Sequence, residues 1–151
     1  MKRLALKFGG TSVGTIEKIK KVANIIKKRH DEGNEIIVIV SAMSGVTDDL
    51  VKKSNFISKN FDKRELDVLL ASGEQVSCSL LSGAISDLGL KARSWLGWQI
   101  PIITNDNHTT SQIMKIKTDE VSNFISSGGI PVIAGFQGVS VDNRITTLGR
   151  G

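Results

Sequence analysis

The sequence predicts an α/β protein with a mainly parallel sheet, and three observations carry that prediction. Residues 36–40 form an unbroken β-branched run and Ile130–Ala134 a second short apolar run, as in strands covered on both faces. Stretches of helical periodicity, 14–32 and 64–89, lie between strand candidates. Each strand candidate runs into glycine or hydroxyl residues, at Gly9-Gly10-Thr11-Ser12, at Ser41-Ala42-Met43-Ser44-Gly45 and at Gly135-Phe136-Gln137-Gly138. Strand, polar turn, helix and strand make a βαβ unit with a right-handed crossover. Ligands of open α/β sheets bind at the carboxyl ends of the strands, where these turns fall.

Size and composition suit one globular domain with its own core: 151 residues, 40% hydrophobic and 23% charged. The net charge of +5 sits largely in Lys18, Lys20, Lys21, Lys27, Lys28 and Arg29. No aromatics interleave with this run, so it reads as a solvated helix face and not as a nucleic-acid site. A basic chain still favours an anionic substrate by long-range attraction. The single cysteine, Cys78, cannot form an internal disulfide, which fits a reducing compartment. No run of about 18 consecutive apolar residues predicts a membrane span, and the first residues turn polar too soon for a signal peptide. The cytoplasm is the expected location.

Leu4, Leu6 and Phe8 alternate with Ala5 and Lys7, the period of a short strand. The double glycine and the Thr11-Ser12 pair then precede the helical pattern of 14–32. Such a turn aims backbone N–H groups and a positive helix end at an anion, with Lys7 at its lip. An ordinary βα turn with glycines required by backbone geometry is the alternative. In the helix, Ile16, Ile19, Ala23 and Ile26 share a face that Val22 and Ile25 broaden; Asp31-Glu32-Gly33-Asn34 ends it. Residues 35–41 follow as a central strand buried on both faces. The small residues from Ser41 to Asp48 suit a polar ligand that approaches backbone, although Thr47 and Asp48 serve equally well as helix-start residues. Residues 49–60 read as a polar helix and 59–63 as a loop.

The helix predicted over 64–89 is the most informative. Leu66, Leu69, Leu70, Val76, Leu80, Leu81, Ala84 and Leu88 mark one face. At about 100° per residue, Glu74 projects roughly 20° from Leu81 and from Ile85. A carboxylate in an apolar arc costs several kcal/mol unless it is neutralised, hydrogen-bonded or paired. Glu74 therefore either meets a substrate ammonium or a lysine, or forms an intramolecular salt bridge. Gly73 beside it costs a helix about 1 kcal/mol relative to Ala, yet lets another group come close.

Residues 91–95 suit another strand, Gly97-Trp98-Gln99 a turn with Trp98 in the core, and 100–103 an extended piece with Pro101 at an edge or end. Asn105-Asp106-Asn107-His108 is turn-rich. His108 is an acid–base candidate, the simpler reading being a solvated loop residue. No second His or Cys stands at metal-ligand spacing, so no zinc site is expected. Residues 112–116 form a candidate strand. Thr118 is a candidate N-cap for a helix to Ser127, with Val121, Phe124 and Ile125 inward and Gly128-Gly129 as its stop. Residues 139–151 resemble a hairpin turning at Asp142-Asn143. Arg150, between Gly149 and Gly151, suits a bidentate grip on carboxylate or phosphate. Because no helix follows the last strand, a fragment of a longer domain is expected.

Five motifs now stand in order: Lys7-Phe8-Gly9-Gly10-Thr11-Ser12-Val13, Val40 through Asp48, Ser72-Gly73-Glu74-Gln75, Gly135 through Gly138, and Thr146-Thr147-Leu148-Gly149-Arg150-Gly151. Together they resemble the signatures of the aspartate kinases, in the amino acid kinase superfamily, over the whole chain. The resemblance implies a three-layer αβα sandwich with a mainly parallel sheet, incomplete at its C-terminal side. It implies that 1–151 is the N-terminal, amino-acid-substrate part of the kinase domain, without the nucleotide-binding half or ACT domains. The implied reaction is ATP-dependent phosphorylation of the L-aspartate β-carboxylate to 4-phospho-L-aspartate, the first step toward lysine, threonine and methionine. ATP is then the co-substrate, with Mg2+ carried by the nucleotide.

By the same resemblance, Lys7 steadies the transferred phosphoryl group, alongside Phe8 and the backbone donors of Gly9 and Gly10. Ser41 and Thr47 hold the substrate, Glu74 its ammonium, and Arg150 with Gly151 a carboxylate. The acceptor carboxylate is already anionic, so phosphoryl transfer needs positioning and charge neutralisation but no general base. Leu96 and Pro101 depart from the family pattern, where a hydroxyl and a small residue are common. The implied partners are L-aspartate and ATP, with no nucleic acid or membrane, and either a homo-oligomer or a separately encoded nucleotide-binding half. Other readings are an amino acid kinase for glutamate, carbamate or a nucleotide, and an inactive truncated fragment or half-enzyme.

Overall fold

The computed structural model describes residues 1–149. In chain order the elements are β1 (Arg3–Phe8), α1 (Ile16–Asp31), β2 (Glu35–Val40), α2 (Val46–Ile57), α3 (Lys63–Asp87), β3 (Ala92–Trp95), β4 (Ile102–Thr104), β5 (Ile113–Ile116), α4 (Asp119–Ser126), β6 (Ile130–Ala134), β7 (Gln137–Ser140) and β8 (Ile145–Thr147). Four strands form a parallel sheet in the order β1-β2-β6-β3. The two apolar runs of the sequence, β2 and β6, are its interior strands. Arg3 stands opposite Glu35 and Phe8 opposite Val40, so β1 and β2 end level; Val40 in turn stands opposite Ala134 of β6.

The main core lies on one face of this sheet, beneath α1 and α3. Ile19, Val22 and Ile26 of α1 and Leu81 and Ile85 of α3 pack on Ile36, Val38, Val40 and Val132. On the other face, Trp95, Ile100, Val121 and Ile125 form a smaller core against Ile37 and Ile133. The three expected layers are present, but among the described residues α4 is the only helix of the second face. Ile37 and Ile39 consequently remain half-buried while Ile36, Val38 and Val40 are covered. The expectation of a strand buried on both faces holds for one face only.

A second sheet, β5-β4-β7-β8, carries the remaining strands. β4 runs parallel to β7, whereas β5 and β8 run antiparallel to their neighbours. The hairpin turns at Asn143 in the left-handed region, as expected. Its first strand begins at Gln137, two residues before the predicted start, so the polar stretch after β6 is itself partly strand.

Local details correct several expectations. α1 begins at Ile16 with Thr15 as its N-cap, whose side chain accepts from the Lys18 N–H at 3.2 Å. Thr11 and Ser12 lie in a separate turn, closed by the Ser12 N–H on Gly9 O at 3.0 Å, and do not open the helix. Thr118 precedes α4 but makes no side-chain cap bond, its backbone being already helical. Trp98 is half exposed; the core tryptophan is Trp95, edge-on to Phe124 with centroids 5.9 Å apart. Pro101 precedes β4, which has neighbours on both sides, so it marks a strand end and not an edge.

On α3, Val76 and Leu80 face solvent, whereas Asp67, Glu74, Ser77 and Ser82 are buried with Leu70, Leu81 and Ile85. By length and composition alone α3 would suit a membrane span. Its buried polar residues and its contacts with α1, α2, β3, β6 and β8 make it the central helix of this fold.

Candidate active site

Level strand ends place three loops side by side. The Ser41 N–H donates to Phe8 O at 3.1 Å and the Gly135 N–H to Val40 O at 3.0 Å, so β1, β2 and β6 pass into their loops as one edge. The Ser44 N–H then donates to Gly10 O at 3.1 Å. A Cβ at Gly10 would stand 2.9 Å from Ala42 O, which leaves room for glycine alone. At Gly9 a Cβ would meet nothing within 4 Å. The glycine pair thus has two separate reasons: loop packing at Gly10, and open space at Gly9.

One face of α3 anchors the segments around these loops. Ser77 Oγ donates to Ser41 O at 2.7 Å, and the Ala42 N–H donates to Glu74 Oε1 at 3.1 Å. Gly73 admits Ala42 and Val46, whose side chains would lie 3.0 and 3.3 Å from a Cβ there. Gln137 Nε2 donates to Ala71 O at 3.1 Å. One helical turn earlier, Asp67 accepts from Thr147 Oγ1 and from the Thr109 N–H. The helix is therefore a template that sets the spacing of segments remote from one another in sequence.

Between the loops and the second sheet lies a cleft of about 1270 Å³. Its wall is apolar, built from isoleucines that include Ile37, Ile39 and Ile133; Lys7, Ser41, Thr47, Asp48, Glu74 and Gln137 supply polar lining. Lys7 is exposed at the carboxyl end of β1, and no carboxylate among the described residues pairs with it. Thr47 and Asp48 come from the first turn of α2, entered through Gly45 at φ +83°. Phe8, partly buried, packs against the main core.

Glu74 is 3% exposed. Its Oε2 has no hydrogen-bond partner among the described residues, and no salt bridge among them involves it. Burial pushes its carboxyl up to about 7, against a smaller lowering by the Ala42 N–H. An acceptor without a partner among the described residues is suited to a cationic donor, since an opposite charge favours the ionised form. Lys7 supplies a cation on the same cleft, so a small molecule with an ammonium and anionic groups finds complements to both.

The structure therefore brings Lys7, Ser41, Thr47 and Glu74 to one cleft, with Gly9 and Gly10 in the turn beside it. Arg150 and Gly151 lie outside the described residues; Leu148 and Gly149, which lead to them, line the cleft. His108 is not a solvated loop residue. Its Nδ1 lies 2.7 Å from Asp67 Oδ2, and its side chain is 12% exposed.

Sequence reasoning gives no role to Asp67 or Ser77, and it names Phe136 and Gln137 only within the motif 135–138. Phe136 has φ +67°, a left-handed conformation that is rare for a bulky residue and marks local strain. Asp67 had a legible signal: seven residues before Glu74, it lies on the same arc of the helix.

Comparisons with known proteins identify the family of this fold. The family model described as the amino acid kinase family matches residues 2–151. An aspartokinase of Rickettsia felis is 48% identical over 148 residues, covering 96% of this chain and 37% of its own length. The crystal structure of aspartate kinase from Synechocystis superposes with a TM-score of 0.83 at 40% identity, over 100% of this chain and 24% of that one. Escherichia coli aspartokinase III, solved in complex with aspartate and ADP, has a TM-score of 0.82 at 20% identity over 97% of this chain and 43% of that one, a likeness of fold. The chain spans little more than a third of the length of the Rickettsia relative. With the parallel sheet, the loops at its carboxyl edge and the match over nearly every residue, the chain belongs to the amino acid kinase family.

Proposed function

We propose that these residues are the amino-acid-binding part of an aspartate kinase, which phosphorylates the β-carboxylate of L-aspartate with ATP. The observation that carries the reading is Glu74, a buried carboxylate with one oxygen unpartnered among the described residues, on a cleft that also presents Lys7. In this reading Glu74 takes the substrate ammonium, and Ser41 and Thr47 donate hydroxyls to its polar groups. Arg150, followed by Gly151, holds a carboxylate. The β-carboxylate lies toward Lys7, whose ammonium offsets charge on the transferred phosphoryl group, while the backbone of Phe8, Gly9 and Gly10 surrounds it. Gly9 has the open space that such a group requires.

Charge neutralisation and alignment carry phosphoryl transfer, so the absence of a general base from the roles above is chemically consistent. ATP is the co-substrate in this reading, and Mg2+ carried on its phosphates would add neutralising charge there. The adenine and ribose contacts belong to polypeptide beyond these residues, continuous with them or encoded separately; the chain's coverage of 37% of the Rickettsia relative favours this division of labour. Cys78, buried and free, suits the reducing cytoplasm.

The test is a calorimetric titration of the 151-residue chain with L-aspartate, L-glutamate and carbamate, followed by an assay of aspartate-dependent ATP turnover. Saturable binding of L-aspartate in preference to the other two, lost in Glu74→Gln, is expected. Equal binding of L-glutamate would transfer the reading to another amino acid kinase. Turnover by this chain alone would set aside the need for a nucleotide-binding partner.

A further inference from the structure

Two carboxylates are deeply buried among the described residues, and both are on α3. Asp67 and Glu74 stand seven residues apart, which places them about 20° apart around the helix and about 10 Å apart along it. Glu74 opens into the cleft. Asp67 is 0% exposed and fully engaged elsewhere. Its Oδ1 accepts from Thr147 Oγ1 and from the Thr109 N–H at 3.0 Å, and its Oδ2 lies 2.7 Å from His108 Nδ1. No lysine or arginine among the described residues pairs with it; a histidine and two neutral donors hold it.

These partners belong to two segments that also hold each other. The Ser111 N–H and Oγ both donate to Thr147 O, at 3.0 and 2.7 Å, and the Gly149 N–H returns to Ser111 O at 3.1 Å. Thr109 has φ +71°, a left-handed conformation that a β-branched residue adopts only where its surroundings impose it. The loop of 105–111 is thus a buckle, fastened at one end to Asp67 and at the other to the strand end that continues into Leu148 and Gly149, which line the cleft. Apolar residues would fill such a site at lower desolvation cost; a buried carboxylate with directional donors fixes geometry instead.

We propose that Asp67 is a positioning residue of the binding cleft: through Thr147 and the His108 loop it fixes the segment 147–149, and so controls affinity for a ligand that it never touches. The ligand part of the statement rests on the aspartate reading above. The geometric part does not.

The experiment uses the 151-residue chain with Asp67→Asn, Thr147→Val and Thr147→Ser, and reads amide hydrogen exchange by NMR before a titration with L-aspartate. Asp67→Asn and Thr147→Val should each speed exchange at Ser111 and Gly149 at least tenfold, with Ala42 and Val132 still protected. Each should weaken L-aspartate binding about tenfold, whereas Thr147→Ser, which keeps the hydroxyl, should behave as wild type. Exchange at Ser111 and Gly149 within twofold of wild type would overturn the proposal, as would faster exchange with unchanged affinity. Should Asp67→Asn fail to fold, Thr147→Val decides, since it leaves the carboxylate and the helix intact. A wild-type chain that binds no L-aspartate would refute the aspartate reading, and the exchange rates would then judge the positioning role by themselves.

Discussion

Glu74 accepts the Ala42 N–H at 3.1 Å through Oε1, while Oε2, equally buried, meets no donor among the described residues. A half-satisfied carboxyl in the centre of a small α/β unit destabilises the free protein when it ionises. Its place beside the strand-end loops makes that cost useful to a ligand that supplies the missing charge.

Stability should fall as the pH rises from acid toward neutral. The folded carboxyl titrates at about 7, above its ordinary value of 4.5. A raised folded value adds stability that is complete below the unfolded value and is lost as pH rises through the folded one. Wild-type stability should therefore fall by roughly 3 kcal/mol between pH 4.5 and pH 7 through this group alone. Glu74→Gln should flatten that part of the profile and melt higher than wild type at pH 8. Urea unfolding of both proteins across this range measures it; parallel profiles would refute it.

Ligand binding should release a proton. A substrate ammonium that meets Glu74 favours the carboxylate, so at pH 6 up to about one proton should leave on binding of L-aspartate, and essentially none above pH 8. Affinity should weaken about tenfold per pH unit as the pH drops below the titration of Glu74. Calorimetry in two buffers of different ionisation enthalpy counts the protons directly.

The two glycines of the first loop should respond differently. Gly10→Ala forces a Cβ against Ala42 O and should cost about 1–3 kcal/mol, as overpacking does. Gly9→Ala adds a methyl to open space and should stay within about 0.5 kcal/mol of wild type. Equilibrium denaturation of the two variants separates packing from ligand space; equal losses would contradict the assignment.

The apolar wall of the cleft offers a fourth check. Ile37, Ile39 and Ile133 face it half-buried, so the native chain should enhance the fluorescence of an anilinonaphthalene dye. Ile39→Asn should reduce that signal by more than half without loss of the folded circular-dichroism spectrum.

Much of this was legible because periodicity reports burial. The β-branched runs identified the interior strands, and the helical angle of Glu74 identified a carboxylate directed inward. The same angle applies to Asp67, but an acidic residue near a helix start reads as solvent-facing. The environment of His108 is not legible for a different reason: its partner is 41 residues away in sequence, and no local pattern encodes a contact of that range. The second sheet escaped notice because β5 is exposed along its whole length and lacks the inward alternation that betrays a strand's sheet.

In the proposed function Glu74 receives the ammonium of L-aspartate in this cleft. Isothermal titration of the 151-residue chain with L-aspartate at pH 8, beside Glu74→Gln, tests it most directly. Saturable one-to-one binding is expected for the wild type, weakened at least about a hundredfold in the variant, as when a buried, hydrogen-bonded charge pair loses one partner. Binding of equal strength to both proteins, or none to the folded wild type, would contradict it.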